Sequence, residues 1–592
     1  MNKGMNRSFV VVGLSVVGLI IMAAGLSVVM ARFALQERKI HETDASRPRV
    51  TGTRPADQES NVAPVTGIVA EISIPATGAG VNPRTLDQGV ELLRRSDSSI
   101  IPSHTNTTGS GDAIILKPIH PLDPDTEYVF RVTEQLKDTS GASFHPYRMS
   151  FRTARDFRVS SFPVSFEKVE LPGLTLEQNA FTSLALGPDG MLYAGTFAGV
   201  IYKYQINPDG TLFPQAPIMT ILHHEKGPRL ITGIGFDPRS TPENPILWVN
   251  HGQMAVTPEG RLEGADDWTG KLSRLSGPSL STYQDVLVGL PRAYKDHLNF
   301  QMAFGPDGAL YFTQGSHTSV GDVDKKWGYR PERKLSAAVL RLSSEVVASP
   351  PQVPIDVKTE EGGTYDPSAP GAPLTVYATG VRSGFDLLFH RNGHLYTGVN
   401  GAAGNEGNTP ASPDGKTPAL RDLKQTTDDV LLKIERGRYY GHPNPTRGEY
   451  ALNGANPTPD KDVMEVEAYP VGTRPEPNYT PPVYVFGKNF SPNGLIEFKG
   501  QQFGGALDGC LLVTRYSDGK DILVLRLDEK GDVVETIAGI DGFTGFIDPL
   551  DILEDTRTGN LYVAEYGGRK ITLLRPKEGQ PSTHTQRTQV IR

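Results

Sequence analysis

One short motif recurs six times in the C-terminal two thirds of the chain. GPDGMLYAGT starts at Gly187, GPDGALYFTQG at Gly305, HRNGHLYTGVN at His390 and RTGNLYVAEYG at Arg557. Two degenerate copies, DPRSTPENPILWVNHG from Asp237 and ALDGCLLVTRY from Ala506, fill the gaps. Aligning them makes Tyr193, Trp248, Tyr311, Tyr396, Leu512 and Tyr562 equivalent, at intervals of 50 to 116 residues. In each copy an apolar strand runs into a Gly/Asp/Asn turn and a second strand, usually with an aromatic, leaves it: a hairpin signal. A small sheet cannot bury both of its faces alone, so repeats of this size must stack on one another. The expectation is an all-β fold with a six-bladed β-propeller over 155–577. Its long spacings come from insertions at 361–373, 401–427 and 453–482, expected as surface loops.

The region ahead of the repeats reads differently. Residues 54–154 form a compact block of short alternating strands: GIVAEISIPAT, VELLRR, DAIILKPI, TEYVFRVTE and YRMSFRTA. Size and strand number fit an immunoglobulin-like sandwich. With the PADQESNVAP opening and the LDPDTEY turn, the block resembles the bacterial Ig-like domains, which serve as spacers or adhesion modules. No catalytic constellation appears in it. Residues 32–53 are polar and read as a linker, and 578–592 as a disordered tail. Residues 9–31 are an unbroken apolar run preceded by Lys3 and Arg7, long enough to span a bilayer. The expectation is an uncleaved signal anchor, single-pass in the cell membrane, with the bulk of the chain periplasmic or extracellular. Cleavage after Ala31, giving a secreted protein, is the alternative.

The net charge of −8 and the absence of a Lys/Arg stripe argue against a nucleic-acid partner. The single cysteine, Cys510, rules out an internal disulfide and a cysteine-based zinc site, and reads as a small buried residue beside Leu511 and Leu512.

Candidate site residues follow from the repeat. The first strand of a propeller blade lines the central channel, so a residue just ahead of it stands at the channel mouth. His297 lies eleven residues before the turn glycine Gly308, and Arg382 eleven before Gly393. The two are equivalent positions in neighbouring blades and are expected to converge on one pocket. A neutral imidazole there takes a hydroxyl proton, and a guanidinium stabilises the charge that develops on an acceptor.

Three segments carry a resemblance: KDHLNFQMAFGPDGALYFTQG, YATGVRSGFDLLFHRNGHLY and TDDVLLKIERGRYYGHPN. With SPNGLIEFKGQQFGGALDGCLLV, they make residues 160–577 resemble the soluble quinoprotein glucose/sorbosone dehydrogenase family. Those are six-bladed propellers that use pyrroloquinoline quinone (PQQ) and calcium. The resemblance implies oxidation of a sugar or related alcohol, with an external electron acceptor as partner. It implies His297 as the base at the sugar hydroxyl and Arg382 as a cofactor contact. It implies Asn400, Gly401 and Ala402 in the loop whose carbonyls hold Ca2+, with Asp428 and Asp429 as the accompanying acidic pair. Several family positions are replaced. Ser316 stands for an acidic residue, Ser517 for a lysine, Phe546 and Asp548 for paired arginines, and Pro228 and Arg229 for a polar pair. Arg229, Arg515 and Lys520 are the cations that would take over cofactor binding. Two other readings are a metal-dependent lactonase-type hydrolase, with Asp296, Asn400 and Asp548 at the mouth, and a non-catalytic cell-surface binding propeller.

Overall fold

Strand alternation in the N-terminal block does build a sandwich. The computed structural model describes residues 47–577 except 63, 65–66, 74–79, 109–110, 112, 156–161, 178, 256–262, 405–406, 424–425 and 459–463. One four-stranded sheet runs Arg49–Arg54, Ile68–Ser73, Ala113–Pro118, Ser103–Thr107; its mate runs Glu59–Val62, Tyr147–Thr153, Glu127–Val132, Val90–Arg94. Ile68, Ala70, Ile114 and Leu116 from the first meet Phe130, Met149 and Phe151 from the second in one core. The expected linker is therefore too long by five residues. Arg49–Arg54 is a strand, because Val50 alternates into the core and the segment pairs with Ile68–Ser73.

The second region forms six sheets of four strands, the second with a fifth short strand added. The first strands of the six are Phe181–Leu186, Leu230–Phe236, Asn299–Phe304, Leu388–Phe389, Pro492–Glu497 and Pro549–Asp555. Each packs beside the next in chain order, and the sixth packs back against the first. The sixth sheet takes its fourth strand, Phe166–Val169, from the start of the region, so the two ends of the segment are tied together.

The repeat positions explain this arrangement. Tyr193, Trp248, Tyr311, Tyr396, Leu512 and Tyr562 all lie on second strands and are at most 5 % exposed. The turn glycines Gly190, Gly308, Gly393 and Gly559 have φ of 73°, 73°, 86° and 72°, a conformation that a side chain disfavours. Apolar cores fill the gap between every consecutive pair of sheets: Tyr193 with Ile234, Trp248 with Phe312, Tyr311 with Leu395, Tyr396 with Leu511, Leu512 with Val563, and Tyr562 with Leu192. Cys510 is fully buried in one of them.

Segments 401–427 and 453–482 lie on the surface but tuck some side chains inward. Leu420 and Leu423 pack with Leu452, Ala455, Val466 and Tyr469 over Val320 and Ala402, a separate small core. Among the described residues no helix is long and apolar enough to cross a membrane. The apolar run at 9–31 lies outside the described residues, as does the 578–592 tail.

Candidate functional site at the mouth of the sheet ring

Antiparallel order places the start of each first strand beside the link between the second and third. Six such links therefore share one end of the ring, and His297 and Arg382 both lie there. They meet on common partners. His297 Nδ1 is 3.0 Å from the Ser316 carbonyl oxygen, and Ser316 N–H donates to the Arg382 carbonyl at 2.8 Å. The Trp327 ring lies 4.7 Å from the imidazole and 5.6 Å from the guanidinium carbon. His297 and Arg382 therefore share Ser316 and Trp327 as neighbours.

The carbonyl of Ser316 can only accept, so Nδ1 of His297 carries the proton and Nε2 holds a lone pair. Nε2 makes no hydrogen bond among the described residues. Burial, aided by the Arg382 charge and opposed by Asp296, pushes the imidazole pKa down to about 3. The ring is thus neutral across the physiological range. Asp296 beside it is solvent-exposed. Its carboxyl is held below its ordinary value against the cost of burial, with Lys295 and Arg382 as the permanent positive charges near it.

Sequence reasoning missed the residues that fix this geometry. Arg292, fully buried, donates from one guanidinium nitrogen to the carbonyls of Lys295 at 2.6 Å and His297 at 3.0 Å. Glu332, 2 % exposed, accepts from Thr318 N at 2.9 Å, Thr318 Oγ1 at 2.6 Å, His317 N at 3.1 Å and His442 Nε2 at 2.9 Å, and from Ser336 Oγ. Burial opposes its ionisation, yet these donors hold its pKa far below the carboxylate range. It anchors the loop that carries Ser316. His442 sat in the GHP of a recognised segment; Glu332 and Arg292 gave no signal.

Beyond Arg382 lies a shallow, partly open cleft lined by Ser319, Asn400, Asp428 and His442. Ser319 Oγ, Asn400 Oδ1 and His442 Nδ1 are buried there with no protein partner among the described residues. These atoms are the polar lining a small hydroxylated ligand would need.

The expected calcium cradle does not fit a cation as arranged. Arg382 donates to the carbonyls of Asn400 at 3.3 Å and Gly401 at 2.9 Å, and the Ala402 carbonyl accepts from Thr427 N–H at 2.9 Å. Asp429 spends one oxygen on Gly401 N–H at 2.6 Å and the other on Phe490 and Ser491 N–H. Burial pushes its pKa up to about 6. Asp428 is half-buried beside the cleft, and burial raises its pKa as well. A guanidinium already occupies the direction in which an ion would sit.

The quinone fares no better. A tri-acid needs uncommitted cations. Arg515 is bound through two nitrogens to Asp521, at 2.7 and 2.5 Å, and lies over Phe490. Lys520, 1 % exposed at its side chain, is ion-paired with Asp548. Arg229 points into the second sheet, to His251 Nδ1 at 3.2 Å and the Thr269 carbonyl. All three substitutes are spent, and Asp548 puts a negative charge where paired arginines were expected. Of the residues named for the hydrolase reading, Asp548 pairs with Lys520 and the Asn400 amide donates to Asn493.

One cluster elsewhere has metal-like spacing, Glu225, His251 and Asp285. Lys271 bridges both carboxylates at 2.5 and 3.1 Å, and Arg229 lies 3.5 Å from Glu225, so the two negative charges are already balanced within the protein.

Comparisons with known proteins agree with part of this reading. Residues 44–153 match the bacterial Ig-like domain family. A search of curated proteins finds no match. Among solved structures, the PQQ-bound aldose sugar dehydrogenase of Streptomyces coelicolor is 17% identical, covering 70% of this chain and 98% of that one, with a TM-score of 0.43. The PQQ domain of pyranose dehydrogenase from Coprinopsis cinerea is 12% identical, covering 70% and 97%, with a TM-score of 0.43. A putative phosphatase of Bacteroides thetaiotaomicron covers 90% and 98% at 11% identity and a TM-score of 0.37. The Ig-like match is the one that assigns a part of this chain to a family.

Proposed function

We infer that the six sheets are a six-bladed β-propeller, carried outside the cell behind an Ig-like module and tethered by the 9–31 segment. Its mouth binds a sugar or related alcohol, and His297 takes a hydroxyl proton, the first event in oxidising a CH–OH group. The observation that carries this reading is the state of His297. It is neutral, its Nδ1–H is fixed on the Ser316 carbonyl, its Nε2 makes no hydrogen bond among the described residues, and Arg382 stands against the same Trp327 ring. A base so oriented acts on a proton placed in hydrogen-bond reach, while the guanidinium favours negative charge next to it.

Oxidation also needs a hydride acceptor. PQQ with calcium is the acceptor that the family resemblance implies, and the pairing of Arg515, Lys520 and Asn400–Ala402 described above does not fit it. That mismatch favours a second reading, a propeller that binds its sugar without turning it over. The test is calorimetric titration of the full chain with a panel of aldoses and polyols, followed by dye reduction with and without added PQQ and calcium. Turnover that needs His297 supports the oxidoreductase reading. Sugar binding without turnover supports the binding propeller. Absence of binding throughout the panel overturns both.

A further inference from the structure

The outer face of the Ig-like sandwich is buried although it faces away from the sandwich core. In strand Ile68–Ser73, Ile68, Ala70 and Ile72 point inward, so Val69 points outward; in Ala113–Pro118 the outward residues are Ala113, Ile115 and Lys117. An outward sheet face would ordinarily be solvated and polar. Here Val69, Ala113 and Ile115 are each 1 % exposed and form an apolar patch of their own.

Register shows what covers them. Arg54, Val69, Ile115 and Asn106 are paired across four strands and so lie in one row on one face. Both ends of that row hold on to the sheet ring: Arg54 donates to the Lys488 carbonyl at 3.0 Å, and Asn106 donates to Asp548 at 2.9 Å. In the neighbouring row, a Cβ on Gly67 would sit 3.1 Å from Asp518 Oδ1. His104 and Lys117 are a cross-strand pair. Lys117 is 9 % exposed, within the field of Asp521 and Asp518, and His104 lies in that of Lys520 and Asp548.

The surface so covered belongs to the mouth. Asp518 and Lys520 lie in the link after strand Leu511–Arg515, and Asp548 immediately precedes Pro549–Asp555. Tyr516, in the same link, feels both Asp548 and Asp296, the carboxylate beside His297. Asn106 thus touches Asp548, which pairs with Lys520, one of the cations the sequence had marked for cofactor binding.

We propose that the Ig-like module is a lid on the propeller mouth, docked by its outward sheet face on the fifth and sixth sheets, and that bulky ligands reach His297 only when it lifts. Lys117 is the latch, a buried cation held between Asp518 and Asp521. The lid concerns access alone and holds whichever ligand the mouth takes. It deepens the proposed function by restricting the access of bulky ligands in the closed state.

The experiment uses the full chain and thiol reporters, with the buried Cys510 as the sole background thiol. Ala113→Cys reports on the docked face and Tyr516→Cys on the mouth. Each is labelled with a small maleimide and with a polyethylene-glycol maleimide, alone and combined with Lys117→Glu, which sets a carboxylate against Asp518 and Asp521. The closed lid predicts slow labelling of Ala113→Cys by both reagents and of Tyr516→Cys by the bulky one. It predicts that Lys117→Glu raises these rates by about tenfold or more. Arg54→Ala with Asn106→Ala, which removes two hydrogen bonds without adding charge, must accelerate labelling in the same sense. Unfolding midpoints of all variants show that the rise is not global. Rapid labelling of Ala113→Cys in the parent background overturns docking. Equal, rapid reaction of Tyr516→Cys with both reagents there overturns the lid, as do rates that neither opening variant changes. None of these readouts involves sugar or quinone, so failure of the proposed function leaves them interpretable.

Discussion

Glu332→Gln is the substitution that tests most deeply how the site is held. The native carboxylate collects hydrogen bonds from Thr318 N and Oγ1, His317 N, His442 Nε2 and Ser336 Oγ, in a position from which water is excluded. Glutamine keeps one acceptor oxygen and replaces the other with a donor. Hydrogen bonds to a charged acceptor contribute about 1 kcal/mol more than neutral ones, and roughly three of the five are downgraded or lost, so the variant loses about 3 kcal/mol. That corresponds to a fall in Tm of roughly 5 °C. The same carboxylate makes stability pH-dependent. Its folded-state pKa lies below the unfolded value of 4.5, so its stabilisation is fully present above about pH 5 and is lost as pH falls. Urea unfolding of both proteins at pH 7 and pH 4 measures this. The difference between them must shrink at pH 4, because the native carboxylate is then losing its advantage. A glutamine variant within 0.5 kcal/mol of the parent at pH 7 refutes the reasoning, as does a difference that does not change with pH.

Much of the fold was legible because one physical device is repeated. The turn glycines and the aromatics at Tyr193, Tyr311, Tyr396 and Tyr562 mark hairpins whose outward faces need neighbours, and the inter-sheet cores supply them. His297 and Arg382 were found by the same register. What the sequence concealed is who pairs with whom. Arg515, Lys520 and Arg229 look like available cations in one dimension; Asp521, Asp548 and Glu225 neutralise them in three. Glu332 lies in a loop without periodicity, and its partners come from segments up to 110 residues away. The insertion at 401–427 read as a surface loop, yet Leu420 and Leu423 pack with Leu452, Val466 and Tyr469. The docked face of the Ig-like module was hidden because AIILKP reads equally as a strand buried on both faces and as one half-exposed.

Three further outcomes follow from the same structure. Under the proposed oxidoreductase reading, His297→Asn is expected to retain ligand binding and to lower turnover by about 100-fold or more, as loss of a positioned base does; dye-linked kinetics beside calorimetry check the split. Asp551, buried near Asp386, has its pKa pushed up to about 7 by burial, from 3.8. A raised acid stabilises the fold below its unfolded pKa and loses that contribution as pH rises towards 7; denaturation at pH 4, 5.5 and 7 should show the decline, and Asp551→Asn should reduce it. Tyr396→Phe removes the hydroxyl that donates to the Gly531 carbonyl at 2.8 Å between the fourth and fifth sheets, and should cost about 1 kcal/mol in urea unfolding.

The protonation state of His297 tests the central claim most directly. Nitrogen-15 NMR of histidine-labelled full chain, with His297→Asn to assign the signal, reads tautomer and titration together. The account predicts a neutral ring protonated on Nδ1 at pH 7 that is still neutral at pH 5. A signal that titrates near 6.5, or a proton on Nε2 at neutral pH, contradicts it.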